Sequence, residues 1–220
     1  PPRSTLFPYT TLFRSDGVRR NSRRPRVLIN ASAIGWYGDR GDAVNTEEAP
    51  RGKGFLAEVC WHWENAAREA ERWGVRVVLP RFGLVLEKHG GVLAKMLPPF
   101  KAFAGGPLGS GRQWLSWIHL EDVIGSVQFL LSNESLCGPV NLTAPEPVTM
   151  SKFCRTLARV LRRPSWLSVP GPALNILMGE MSQMILMSQK VLPAKLQTAG
   201  YVFKYPELNE ALQAVLLKKI

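Results

Sequence analysis

The sequence predicts an α/β fold built on parallel strands, followed by a small, mostly helical C-terminal segment. Three observations predict it. Two short β-branched runs, Arg26–Ala31 (RVLINA) and Val75–Leu79 (VRVVL), read as buried strands. The stretch between them carries helical periodicity, which makes a strand–helix–strand unit of the parallel type. From Val169 onward the texture changes, with Met178, Met181, Met184 and Met187 recurring every three residues along an apolar segment.

Each element follows in turn. Residues 38–53 mix Gly, Asp, Pro and charge without periodicity, so they form a long loop of the kind that is functional or disordered. Phe55–Trp73 is a helix with Leu56, Val59, Cys60, Trp63 and Ala67 on one stripe, ended by Gly74. Residues 92–103 are helical until Pro98-Pro99 interrupts them, and Gly105–Gly111 is a turn-rich loop. Gln113–Ile118 is a short strand, Glu121–Leu131 a helix, and Val140–Thr143 a strand bracketed by Pro139 and Pro145. Thr149 or Ser151 caps a helix running to about Arg163, because a hydroxyl can accept from the free N–H groups there. The Met stripe is helix–helix packing, Tyr201–Tyr205 is extended, and Glu207–Leu217 is a final amphipathic helix.

Composition excludes several classes. Hydrophobic residues make up 45% of the 220, ample for a packed core and contrary to disorder. No stretch reaches about 18 uninterrupted apolar residues, so no membrane partner is expected. Three cysteines (Cys60, Cys137, Cys154) and three histidines show no metal-type spacing, so neither a disulfide framework nor a metal site is expected. A reducing cytoplasm or organelle matrix suits such thiols, and the cytoplasm is the expected location.

Residues 1–26 hold seven Arg and one Asp, so +6 of the net charge of +11 sits there. No aromatic platform accompanies this basic stretch, and no nucleic-acid partner is expected. The near-repeat of Thr5-Leu6-Phe7 in Thr11-Leu12-Phe13 resembles translated adapter read-through, so residues 1–25 read as a non-native or disordered arm.

In a parallel sheet, ligands gather at the carboxyl ends of the strands. Those ends are Ala31-Ser32-Ala33 and Pro80-Arg81-Phe82-Gly83. Ser32 and Tyr37 therefore fall near the crevice, with hydroxyls able to bond a carbonyl or alkoxide. A cap or turn role for Ser32 and a half-buried loop position for Tyr37 are the plainer readings. Asp122 begins a helix, where a carboxylate can reach back to backbone N–H groups. Cys60 lies on an apolar stripe, where a structural thiol is expected rather than a reactive one.

A set of short motifs spans residues 26 to about 218. It comprises Trp36-Tyr37-Gly38-Asp39, Thr46-Glu47-Glu48-Ala49-Pro50, Pro98-Pro99, and Gly109-Ser110-Gly111-Arg112-Gln113. Trp117-Ile118-His119 with Asp122 follows, then Pro193-Ala194-Lys195-Leu196, Ala199-Gly200 and Tyr205-Pro206. In this order they resemble the extended short-chain dehydrogenase/reductase superfamily, and within it the epimerase-family (sugar-epimerase-like) subgroup with its C-terminal extension.

The resemblance implies the C-terminal part of a doubly wound, Rossmann-like sheet. Residues 26–165 would be a partial NAD(P)-binding domain with substrate-binding insertions, and 166–220 a helical C-terminal domain. It implies NADP or NAD as cofactor, a small-molecule substrate, a possible homo-oligomer, and hydride transfer on a sugar-like or carbonyl compound. Ser32 and Tyr37 would contact the reacting oxygen. Ala31, Arg81, Phe82 and Gly83 would line the nicotinamide side, and Arg112 and His119 the substrate side, with Arg112 gripping an anionic group.

The chain departs from that pattern twice. Its Gly cluster, Gly105–Gly111, lies in mid-chain and does not link a strong strand to a helix, so it is not the phosphate-binding turn. This departure fits an N-terminal truncation of roughly a hundred residues, the front half of such a domain. No tyrosine is followed four residues on by Lys, and the corresponding helix register offers Leu56 and Cys60. The usual proton shuttle, a phenol whose pKa a neighbouring ammonium lowers, is absent. Either Tyr37 or another group transfers the proton by a different geometry, or the protein binds a dinucleotide without turning it over, as a sensor or interaction module.

Overall fold

The two β-branched runs lie side by side and point the same way, with Val27, Leu28 and Ile29 in register with Arg76, Val77 and Val78. This arrangement comes from a computed structural model that describes Gly17 and residues 24–168 and 186–217. The expected arm at 1–25 falls almost wholly outside the described residues, as do Met178, Met181 and Met184.

In chain order the first elements are β1 (Val27–Ile29), β2 (Ser32–Ala33), a 3-10 turn (Ile34–Tyr37) and β3 (Val44–Asn45). Then come α1 (Phe55–Arg68), a 3-10 extension (Glu69–Trp73), β4 (Arg76–Phe82) and β5 (Leu84–Leu86). The middle holds α2 (Gly91–Lys101), β6 (Trp114–Leu115), β7 (Trp117–His119), α3 (Leu120–Ser132) and β8 (Gly138–Leu142). The remainder is β9 (Val148–Thr149), α4 (Met150–Leu161), β10 (Lys190–Val191), α5 (Ala194–Thr198) and α6 (Leu208–Leu217).

β4 is the hub. β1 and β2 pair with one of its edges and β8 with the other, all parallel. It runs three residues beyond the expected Leu79 end, through Pro80, Arg81 and Phe82. Pro80 accounts for the gap between β1 and β2. The Val78 carbonyl accepts from the Asn30 amide at 2.9 Å, so even-numbered residues of β4 direct their peptide groups toward that edge. Pro80 is the next such residue and has no N–H, so the ladder lapses at Asn30-Ala31 and resumes at Ser32.

Alternation along β4 sends Val77 and Leu79 to a cluster with Ala67 of α1 and Ala70. Val78 goes to the other face, with Leu130 of α3, Leu142 of β8 and Leu196 of α5. Helices thus cover both faces, as a doubly wound parallel sheet requires.

Two expectations are corrected. Pro98 and Pro99 do not break their helix, which continues to Lys101. Leu93, Met96, Leu97 and Phe100 are buried in the largest core cluster, and that burial outweighs the amide bonds the prolines cannot make. The strand expected over Gln113–Ile118 splits at Ser116, whose hydroxyl donates to the Gln189 carbonyl at 2.8 Å and accepts from the Val191 amide at 2.9 Å.

Thr149 caps α4 as expected, its Oγ1 accepting from the Lys152 amide at 3.3 Å. Asp122 does not cap its own helix. Its carboxylate accepts from the amides of Lys204 at 2.7 Å and Tyr205 at 2.9 Å, tying the C-terminal segment to the start of α3. Residues 186–217 also share their core with the rest, since Leu208, Ala211 and Leu212 of α6 pack with Phe153 and Leu157 of α4. No helix among the described residues is long and apolar enough to cross a membrane.

Candidate functional site

A cavity of about 420 Å³ opens where β2 and β4 end. The turn after β2 supplies Ala33, Ile34 and Gly35, and the end of β4 leads in through Phe82, Gly83, Leu84 and Val85. The first two turns of α1 contribute Leu56, Val59, Cys60 and Trp63. Trp114, Leu115 and Ser116 close the far side, with Val92, Met187 and Gln189.

Local sequence explains how these walls come together. A side chain at Gly83 would place its Cβ 2.7 Å from the Ser116 carbonyl oxygen and 2.9 Å from Thr143 Cγ2, so only glycine lets β4 pass there. At Gly35 a Cβ would stand 3.2 Å from that of Leu56, so the turn after β2 presses directly on α1.

One helical turn beyond Cys60 the chemistry changes. Glu64 is 1% exposed and Arg81 is 2% exposed, and they form a two-point ion pair, Nε to Oε1 at 2.8 Å and Nη2 to Oε2 at 2.9 Å. Ser32 donates to Glu64 Oε1 at 2.8 Å. The Tyr37 hydroxyl accepts from Arg81 Nη1 at 3.0 Å and donates to Asn141 Oδ1 at 2.7 Å. The guanidinium also lies 4.1 Å from the centre of the Trp36 ring, where a cation is favoured. Burial opposes the charge on Arg81, but the bond to Glu64 and the facing Tyr37 oxygen more than compensate, and its pKa is raised. Burial likewise raises the Tyr37 phenol, partly countered by Arg81. Cys60 is raised by burial too, against a weak bond to the Ala33 carbonyl at 3.6 Å.

The expected site residues are therefore divided. Phe82 and Gly83 line the cavity. Ser32 and Tyr37, expected to contact a reacting oxygen, lie outside this lining, and each hydroxyl is bonded within the buried network. Arg81 lies outside the lining as well, because strand alternation turns it toward Glu64. Ala31 is exposed and lies outside the lining. His119 is a buried helix cap outside the lining, its Nδ1 accepting from the Glu121 amide at 3.0 Å and its ring 4.0 Å from that of Tyr205. Arg112 is exposed, two residues before the cavity-lining Trp114, and its amide donates to Ser110 Oγ at 3.2 Å.

Sequence reasoning missed Glu64, Asn141 and Glu47. Glu47 Oε1 accepts from the amides of Asn141 at 3.0 Å and Lys195 at 3.2 Å, fastening the long loop to β8 and α5. A signal for Glu64 existed: it sits four residues after Cys60 on the apolar stripe, where a carboxylate implies a buried partner. No group of three or more His, Cys, Asp or Glu among the described residues is placed to hold a metal.

Comparison with known proteins agrees with this architecture. Residues 169–215 match the family model described as a domain of unknown function, DUF1731. The chain is 49% identical over 193 residues to the epimerase family protein SDR39U1 homolog, chloroplastic, of Arabidopsis thaliana, covering 88% of this chain and 55% of that protein. It is 42% identical over 201 residues to the epimerase family protein SAR0825 of Staphylococcus aureus, covering 91% of this chain and 67% of the relative. Among solved structures, the human epimerase family protein SDR39U1 with NADPH superposes with a TM-score of 0.89 at 29% identity, over 96% of this chain and 72% of that one. The chain thus spans between 55% and 67% of the length of these two curated relatives. Parallel strands around β4, helices on both faces and this degree of identity make the chain a member of the epimerase family within the extended short-chain dehydrogenase/reductases.

Proposed function

We propose that the protein, with the further length its relatives carry, binds a nicotinamide dinucleotide and transfers hydride to or from a carbonyl or sugar-like substrate. The observation that carries this reading is the cavity at the carboxyl ends of parallel strands, where such folds receive ligands. Its wall suits the nicotinamide end: Phe82 and Gly83 offer an apolar edge where β4 ends. The described residues do not suit the phosphate end. The Gly105–Gly111 loop is packed on its own chain, with a Cβ at Gly111 meeting Ser151 and one at Gly109 meeting Leu186, so a phosphate has no open cradle there. The bound dinucleotide would supply or accept the hydride. This chain's part is to seat the ring, exclude water through Leu56, Val59 and Trp63, and hold an anionic group at Arg112 on the approach to Trp114.

A second reading, binding without turnover, is favoured by one observation. Leu56 and Cys60 stand in the cavity wall, while Ser32 and Tyr37 are bonded inside the Glu64–Arg81 network, so no described lining residue is a proton donor tuned near neutral pH. NADPH titration of a chain with its relatives' full length, followed by a carbonyl panel, separates the readings. Saturable NADPH binding with substrate-dependent loss of absorbance at the reduced-nicotinamide band is expected. Binding without any oxidation across the panel supports the second reading, and no binding overturns both.

A further inference from the structure

We propose that the cavity receives an apolar, ring-bearing carbonyl compound rather than a hydroxyl-rich sugar. The inference rests on the reading above that the strand ends seat a nicotinamide ring, and it specifies what lies beside that ring.

A sugar brought out of water needs a partner for each hydroxyl it buries, because an unmatched polar group is costly in an apolar site. Among the described residues the wall has few partners to give. Ser116 is bonded to Gln189 and Val191 of its own chain. The Gln189 amide donates to the carbonyls of Ile34 at 3.0 Å and Gly38 at 3.2 Å. Trp114 Nε1 donates to Asp42 Oδ1 at 2.7 Å. Cys60 adds only a thiol, held protonated by burial. The strongest hydrogen-bonding groups nearby, on Glu64, Arg81 and Tyr37, are committed to one another and lie outside the lining.

What remains is hydrocarbon and flat aromatic surface. Leu56, Val59, Leu84 and Val92 share the lining with Trp114, whose ring is held by the Asp42 bond and by the Lys190 ammonium 4.2 Å from its centre. The volume of about 420 Å³ falls within the range of small-ligand sites. A planar apolar body fits such walls with only its carbonyl oxygen left to match, against several hydroxyls for a sugar.

The test is equilibrium binding, read by tryptophan fluorescence quenching, on a chain with its relatives' full length, with and without NADPH. The probes are 2-naphthaldehyde and UDP-glucose. The naphthaldehyde is expected to bind at least about tenfold more tightly. Val59→Asn, which adds an unmatched amide to the wall, and Leu56→Trp, which fills the space, are each expected to weaken it by a similar factor. Two variants guard against one failing to fold. Equal or tighter binding of UDP-glucose, or naphthaldehyde binding that survives both variants, overturns the proposal. Loss of NADPH binding with retained naphthaldehyde selectivity would instead refute the dinucleotide reading and leave the cavity's preference established.

Discussion

Two consecutive stretches of α1 carry opposite chemistry. Leu56, Val59, Cys60 and Trp63 wall an apolar cavity, whereas Glu64, next along the same helix, holds a buried ion pair with Arg81. The difference lies in how each region treats charge. The cavity excludes it, and the core beneath concentrates it and satisfies it almost entirely from within: both Glu64 oxygens accept from Arg81, and Ser32, Tyr37 and Asn141 complete the shell. Side chains with the right functional groups for proton transfer are present in this protein, but they are used to fasten α1, β2, β4 and β8 together. A hydroxyl close to a site in sequence is therefore not yet a catalytic hydroxyl. Its bonding partners decide.

Breaking the charged region should have the largest effect. Glu64→Leu leaves the Arg81 cation buried without its partner and is expected to cost about 3–5 kcal/mol of stability, measured by chemical denaturation. Adding Arg81→Met to that variant should restore most of the loss, since an apolar replacement of a whole buried pair is often near neutral. If the single variant is as stable as the parent, the ion pair is not what holds this region.

Tyr37→Phe sharpens the contrast. It deprives Asn141 Oδ1 of a donor and Arg81 Nη1 of an acceptor, so a loss of about 1–3 kcal/mol is expected in the same measurement. Unchanged stability together with a hundredfold fall in turnover of the full-length protein would show instead that the phenol acts on substrate. Asp122→Asn should be milder, about 1–2 kcal/mol, because one of its two amide contacts can still be made. Faster hydrogen exchange at Lys204 and Tyr205 would report it.

A further effect concerns pH. Burial raises the Cys154 thiol from 9.0 to about 12, and raises Cys60 and Tyr37 as well. Across that interval the folded state holds protons that the unfolded chain has released, so stability falls as pH rises. Melting temperature should be level up to about pH 9 and decline between there and about pH 12, and Cys154→Ala should make the decline shallower. A melting temperature that climbs over this interval would contradict the burial of these thiols.

Much of the scaffold was legible because it depends on local pattern. The stripe on α1, the β-branched run of β4 and the Thr149 cap are each written within one or two turns of chain. Pro98-Pro99 misled because a local rule was outweighed by burial of Leu97 and Phe100, which no short window reveals. Ser116 misled for a related reason: its partners, Gln189 and Val191, lie more than seventy residues away.

The site was legible only in outline. Strand ends can be counted along a sequence, and the ends so counted include Phe82 and Gly83, which line the cavity. What a hydroxyl bonds to cannot be counted that way. Tyr37 meets Asn141 across 104 positions, and Asp122 meets Tyr205 across 83. Residue order alone determined the parallel α/β class and the lack of a Tyr-x-x-x-Lys pair, since periodicity and spacing are local properties of the chain. Only the tertiary structure decided that the carboxylate, guanidinium and phenol pair with one another while the neighbouring turn of helix faces empty, greasy space. The physical reason is that pairing of buried charges depends on which side chains the packed sheet and helices bring within about 3 Å, a distance unrelated to separation along the sequence.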